Sequence, residues 1–490
     1  MDITIRVLQL ITSMSLLIIL HEMGHFLPAK WFKTKVNKFF LFFDPWFSIA
    51  SWKKINGKWE SKFFSKNLPD TEDIIVDGKK KTVPIDLSKL PDNDWRKHPE
   101  SVKYGIGWLP LGGYVSIAGM IDESNTDSEA MKKPAEDWEF RAKPAWQRLI
   151  IMIGGVTVNI ILGFLIFIGV FAYWGTNTIP VENLKGKMYV SEKMNVFGFQ
   201  QGDIPVAVNG KPVNNPLKVN RDLLLRNVEN ITVLRTDNSQ ATIAVPDSVG
   251  MYIWKNGLRE QAFSLKNPST QIDSVIAGTP GAKAGIMKGD IIRKVNGTPV
   301  TSWNDFTEKI AFSKTKNVDL ELERGGQLLT KKTVLNEDNK VGIAVTTDPK
   351  LFEGLEVHKD LSFGESVKMG VSEAYNLVHD FVTQFKYVFT KKGATQMGGF
   401  GTISKLFGTS WDWHQFWVST ALISIMLGVM NLLPIPALDG GHILFLLYEM
   451  ITGRKPNEKF LEYAQIFGML LLFALMIYAN GLDIFRAIKN

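Results

Sequence analysis

Hydrophobic positions in this chain gather into a few long runs near its two ends, while the middle has the mixed pattern of soluble protein. A helix needs about 20 apolar residues to cross the hydrocarbon core of a bilayer. Four runs reach that length. They extend from Val7 to Ala29, from Leu149 to Trp174, from near His414 to Asp439, and from about Tyr463 to Leu482. The second and fourth contain no charged side chain. The pattern predicts a polytopic α-helical membrane protein with four transmembrane helices.

The predicted order is a first helix over 1–30, a cytoplasmic loop over 31–148, and a second helix over 149–174. Two small domains follow over 175–265 and 266–350, then an extracytoplasmic linker over 351–412. A third helix over 413–451 and a fourth over 460–482 complete the chain. The first run carries His21, Glu22 and His25 and has no small-x-small cleavage site, so it reads as a retained span and not as a cleaved leader.

Charge orients these spans. The 490 residues carry 56 Lys and Arg against 49 Asp and Glu, a net charge of +7. Such a balance suits nucleic acid or an anionic membrane, and its position beside apolar runs favours the membrane. Nine lysines between Lys30 and Lys66 face only Asp44 and Glu60, and Arg454, Lys455 and Lys459 follow the third span. Short basic connections stay in the cytoplasm, which puts both termini and the middle of the chain outside. The chain has no cysteine, which excludes disulfides and thiolate metal sites.

The loop over 31–148 holds a polar insert, Ser61 to Pro99, with a turn expected at Asp77-Gly78. Beyond it, Tyr104 to Ile117 is apolar, Gly-rich and too short to span. It reads either as a hairpin dipping into the membrane to line a wetted cavity, or as an ordinary cytoplasmic hairpin.

Candidate chemistry lies in the spans themselves. His21-Glu22-Met23-Gly24-His25 fits H-E-x-x-H, which on a helix sets two imidazoles on one face with the glutamate beside them. Each ionisable group in a span is unfavourable by roughly 2.5 kcal/mol or more unless it is paired or wetted, so their presence points to function. A catalytic zinc usually takes three protein ligands. Asn431 to His442 offers two candidates for the third, Asp439 and His442, with Asp439 preferred. Pro434 and Pro436 break the helix there, and Gly440 and Gly441 allow close approach.

The outer region repeats itself. Gly198 to Val213 and Gly285 to Val300 both read G-x-x-x-G-D-I-x-x-x-V-N-G-x-P-V, 87 residues apart. A repeat of this size predicts two copies of one small domain.

H-E-x-x-H in one span with N-x-x-P-x-P-x-L-D-G-G in a later one resembles the site-2 protease family. The resemblance implies Zn2+ bound by His21, His25 and Asp439, with Glu22 as catalytic base. Leu111-Gly112-Gly113-Tyr114-Val115 is similar to the family's membrane-reentrant β-hairpin, here about 104–119, which implies substrate contacts at Gly112, Gly113 and Tyr114. Gly155 to Asn159 is similar to its G-P-x-x-N element, with Val156 in place of proline. Asn159, Asn431 and Pro434 join the implied substrate-binding set. The two repeats resemble extracytoplasmic PDZ-like α+β domains, which bind extended peptides or act as size filters. The implied activity is hydrolysis within transmembrane segments of pre-trimmed proteins, of the anti-sigma factor or remnant signal peptide type. An upstream site-1-type protease, the lipid bilayer of an inner membrane and no nucleic acid are the implied partners. Phe363 to Thr390 is weakly amphipathic and reads as a gate on the outer surface or as a linker helix. A zinc transporter would need neither Glu22 nor the outer modules, and a PDZ scaffold would not need ligands in its spans.

Overall fold

Long uncharged runs become helices because in lipid every backbone polar group must find a partner within its own segment. A computed structural model describes residues 2–68, 71–76, 79–91, 93–110, 112–120, 134–258, 261–337, 339–346 and 348–489. The expected turn at Asp77-Gly78 and Leu111 of the hairpin lie outside the described residues. The chain divides into two compact units, residues 1–174 with 361–490, and residues 175–360.

The first unit contains α1 (Asp2–Trp31), α2 (Ala145–Trp174), α3 (Phe363–Val388), α4 (Trp413–Asn431), α5 (Asp439–Thr452) and α6 (Glu458–Lys489). Among the described residues, four helices are long and apolar enough to cross a membrane: α1, α2, α4 and α6. Small residues bring them together, as expected where no hydrophobic force acts between helices in lipid. Gly24 of α1 and Gly154 of α2 face each other so closely that a Cβ on Gly154 would lie 2.0 Å from the Gly24 carbonyl oxygen. Gly370 of α3 does the same against the backbone of Ile168 in α2.

The segment over 413–451 forms two helices, separated where the sequence places its prolines. Proline has no N–H to donate, and between α4 and α5 the chain passes Pro434 and Pro436 and turns at Ala437, whose φ is 85°. The loop folds back over the start of α5. A Cβ on Gly440 would stand 2.2 Å from the Leu433 carbonyl oxygen, and one on Gly441 would stand 2.6 Å from that of Ile435. Both glycines are therefore needed for the break, and the break makes Asp439 the first residue of a helix.

The segment over 363–388 is more than a connection. Helix α3 opens with a capping box between Ser362 and Glu365, and packs Ala374 against Phe167, Ala421 and Ile425 of α2 and α4. Leu377, Val378, Phe381 and Phe385 of the same helix extend this contact.

The loop after α1 forms a five-stranded sheet. Its strands are β1 (Val36–Leu41), β2 (Phe47–Ile55), β3 (Lys58–Lys66), β4 (Lys103–Ile106) and β5 (Tyr114–Ile117), in the order β3-β2-β4-β1-β5. This corrects the expected hairpin. Strands β4 and β5 do not pair with each other, because β1 lies between them, parallel to β4 and antiparallel to β5. The aromatic, β-branched run of β1 supplies a better central strand than a local hairpin does, and β5 is left at the edge.

The second unit contains two four-stranded sheets of the same strand order. In one, Ile204–Val208 lies between Lys211–Pro212 and Asn230–Leu234, with Gln240–Ala244 outermost. In the other, Ile291–Val295 lies between Thr298–Pro299 and Asn317–Arg324, with Gln327–Val334 outermost. The shared Gly-Asp-Ile signature has the same job in both. Asp203 accepts from Gln200 N at 2.8 Å and from Arg235 at 2.7 Å. Asp290 accepts from Met287 N at 2.9 Å and from Arg324 at 2.6 Å. Each arginine also donates to a glycine carbonyl, Gly198 or Gly285. Glu308, on the helix Trp303–Ala311, accepts from the Tyr189 hydroxyl at 2.6 Å and the Ser191 hydroxyl at 2.8 Å, which ties the second repeat to the segment that precedes the first.

Candidate metal centre

H-E-x-x-H on α1 sets His21 and His25 one turn apart, and the helix break sets Asp439 at the head of α5. These three are brought together. His21 Nε2 and His25 Nε2 are 3.2 Å apart, and Asp439 Oδ2 lies 3.3 Å from the first and 3.4 Å from the second. A tetrahedral ion with bonds of about 2.0–2.1 Å would separate its ligand atoms by about 3.3–3.4 Å. Asp439 Oδ2 is buried and has no hydrogen-bond partner, the state of an acceptor aimed at a cation. Among the described residues, this is the group of His, Asp and Glu side chains whose donor atoms could hold a metal ion. The donor set, two imidazoles and a carboxylate, suits zinc with one position left open.

The surroundings fix the imidazoles. His25 Nδ1 donates to the Ile151 carbonyl oxygen at 2.8 Å, so the proton sits on Nδ1 and the Nε2 lone pair faces the cluster. The Asn159 Nδ2 lies 3.1 Å from His21 Nδ1 and orients that ring; turned over, the same amide would present its buried, unpartnered Oδ1 to the ring N–H. Asn159 is 1% exposed, and its backbone carbonyl accepts from Ser424 Oγ of α4 at 2.7 Å. It therefore stands behind His21, away from the space a substrate would fill. Gly155, one turn earlier on α2, leaves room for both rings, since a Cβ there would lie 2.3 Å from His25 Nε2.

The cluster opens on a cavity of about 620 Å³. Glu22, Asn431, Gly113, Tyr114 and His442 also line it. Asn431 Nδ2 lies 3.5 Å from His21 Nε2. His442 faces the cavity from α5 but does not belong to the three-atom cluster. Gly112 and Pro434 stand outside the lining; a Cβ on Gly112 would meet the Phe43 ring, and Pro434 is exposed. Edge strand β5 presents Tyr114, Val115 and Ile117 along one wall.

Two features escaped the sequence reading. Asp44, buried in the connection between β1 and β2, accepts from Ser48 Oγ at 2.9 Å, Asn67 Nδ2 at 2.8 Å and the Tyr114 hydroxyl at 2.8 Å, and it lines the cavity. Its isolation among lysines and aromatics was the available signal. Arg148 at the start of α2 and Glu449 on α5 form a buried ion pair of 2.5 Å that ties the helix carrying Asp439 to its neighbour.

Known proteins similar to this chain are named as zinc metalloproteases. Residues 91–475 match the profile described as Peptidase family M50. A Vibrio cholerae protein named "Putative zinc metalloprotease" is 26% identical over 516 residues, covering 99% of each chain. A Neisseria meningitidis protein of the same description is 27% identical, covering 98% of each. The regulator of sigma E protease of Haemophilus influenzae is 24% identical, covering 97% of this chain and 98% of that one. The family profile spans most of the chain, and the chain belongs to peptidase family M50, the site-2 protease family of membrane zinc metalloproteases.

Proposed function

We propose that His21, His25 and Asp439 hold the zinc ion, that Glu22 is the catalytic base, and that the enzyme hydrolyses a peptide bond inside the transmembrane segment of a substrate. The observation that carries this reading is the triangle of donor atoms 3.2–3.4 Å on a side, set within apolar helices at the wall of a cavity. When bound, zinc supplies Lewis-acid activation of the scissile carbonyl and of the attacking water. Glu22 takes the water proton on its carboxylate and delivers it to the leaving amine nitrogen. The Asn431 amide holds the substrate backbone beside His21.

An intact helix hides its peptide bonds, so the substrate unwinds to react. Strand β5 lies at the sheet edge and lines the cavity, which supports pairing of the unwound segment with the backbone at Gly113 and Tyr114. This is the part assigned to a membrane-reentrant element. The lysine-rich segment after α1 supports a cytoplasmic position for the sheet and a periplasmic one for the second unit in an inner membrane. The two sheets of that unit, with equal strand order and recurring Asp–Arg contacts, support a tandem of PDZ-like modules that excludes bulky ectodomains. Substrates are then membrane proteins already trimmed by a site-1-type protease, either anti-sigma factors or signal peptide remnants.

The test is incubation of purified protein with a model transmembrane substrate. Wild type cleaves it; Glu22→Gln and chelator-treated enzyme do not. Cleavage by Glu22→Gln at the wild-type rate would contradict the proposal.

A further inference from the structure

A second cavity, of about 570 Å³, lies in the first unit next to the one described, and Lys38 lines both. Its walls come from the five-stranded sheet and from the end of the polar insert, a segment that no step of the proposed reaction uses. Six cations line it: Lys38, Lys53, Lys62, Lys66, Arg96 and Lys103. The one carboxylate in the lining, Asp94, is already held by Arg96 at 2.7 Å.

Lys62 and Lys103 are held by neutral partners that leave their charge in place. Lys53 Nζ donates to the Trp95 carbonyl oxygen at 2.8 Å, and Lys62 Nζ sits 4.4 Å from the centre of the Trp95 ring. Lys103 Nζ donates to Asn67 Oδ1 at 3.2 Å. Among the described residues, Lys38, Lys62, Lys66 and Lys103 form no ion pair with a carboxylate. Burial pushes the Lys103 ammonium down to about 8, helped by Lys38, Lys53 and Lys62 and opposed by Asp44. Several cations gathered in one partly dry pocket focus a positive field that is relieved when an anion enters.

We propose that this cavity binds a phosphate-bearing anion with two or more negative charges. A single carboxylate would leave most of Lys38, Lys62, Lys66 and Lys103 uncompensated, whereas a diphosphate or phosphate ester meets several at once. The volume lies within the range of small-molecule sites. The phosphate comes either from a soluble compound or from the headgroup of an anionic lipid at the adjoining membrane surface.

The test uses full-length protein and the variant Lys62→Gln/Lys66→Gln, whose altered side chains are exposed and outside the catalytic cavity. An unchanged thermal midpoint establishes that the variant folds. Inorganic pyrophosphate is titrated by calorimetry, and lipid retained in nanodiscs of mixed phosphatidylglycerol and phosphatidylcholine is measured by mass spectrometry. Saturable pyrophosphate binding that weakens at least tenfold in the variant identifies a soluble anion. Selective retention of phosphatidylglycerol that is lost in the variant identifies a headgroup. If wild type shows neither, or if the variant binds both as wild type does, the proposal is overturned.

Discussion

Gly155 and His25 meet where α1 crosses α2, with no room for a methyl group between them: a Cβ on Gly155 would stand 2.3 Å from His25 Nε2 and 2.7 Å from His21 Cε1. A side chain there has to displace both imidazoles. Misplacing a reacting group by about 1 Å loses on the order of 100-fold in rate. Gly155→Ala is therefore expected to lower cleavage of a model substrate by about that factor, together with metal retention. Gly163→Ala, on the same helix against Ile425, serves as the control for helix packing alone, and full zinc content in Gly155→Ala would contradict the argument.

Asn159 is expected to act through His21. Removing an outer partner of a metal-bound histidine typically weakens metal affinity by about 10- to 100-fold. Asn159→Leu should show that loss in a competition titration with a zinc chelator, while Asn159→Asp, which supplies an acceptor for the His21 Nδ1 proton, should show less. Equal losses in both variants would mean that the amide only fills space.

The Arg148–Glu449 pair sets the position of α5. Removing one partner of a buried pair leaves an uncompensated charge and destabilises by about 3–5 kcal/mol. Glu449→Gln should lower the unfolding temperature in detergent clearly. The double variant Arg148→Met/Glu449→Leu should recover most of the loss, because no lone charge remains. A double variant as unstable as the single one would show that the pair does more than satisfy itself.

In the second unit, Arg324 beside Asp290 holds the Asp290 carboxyl below the usual carboxylate range. A depressed native pKa contributes stability that is present above the unfolded value, near about 3.9, and is lost as pH falls through the native value. Hydrogen exchange in peptides covering 285–324 should therefore rise as pH drops below about 4 after correction for intrinsic rates. Asp290→Asn should exchange faster at neutral pH and respond less to acid. An unaltered acid response in that variant would remove the pair from the explanation.

How much of this was legible depends on how local each signal is. The spans could be read because apolar length is a property of one segment, and H-E-x-x-H because two histidines four residues apart share a helical face whatever surrounds them. The break at Pro434 and Pro436 was visible for the same reason: a missing N–H is a defect of the residue itself. The sheet was not legible. Val36–Leu41 sits inside a lysine-rich stretch that reads as surface charge, and its partners lie far along the chain at Lys103–Ile106 and Tyr114–Ile117. No local pattern says that a third strand separates two that look like a hairpin. Asn159 was read as a substrate contact because its motif travels with substrate residues; only its distance to His21 places it behind the ring. The Gly-Asp signatures showed only that a unit repeats, while the partners of Asp203 and Asp290 come from the end of the neighbouring strand, at Arg235 and Arg324.

The central claim is that one ion joins the amino-terminal helix to the head of α5 through His21, His25 and Asp439. Zinc K-edge absorption and elemental analysis of purified protein measure this directly. The account predicts about one zinc per chain in wild type and in Glu22→Gln, with nitrogen and oxygen ligands at about 2.0–2.1 Å, and loss of the ion in His25→Ala and Asp439→Ala. Stoichiometric zinc with the same ligand shell in Asp439→Ala would contradict it.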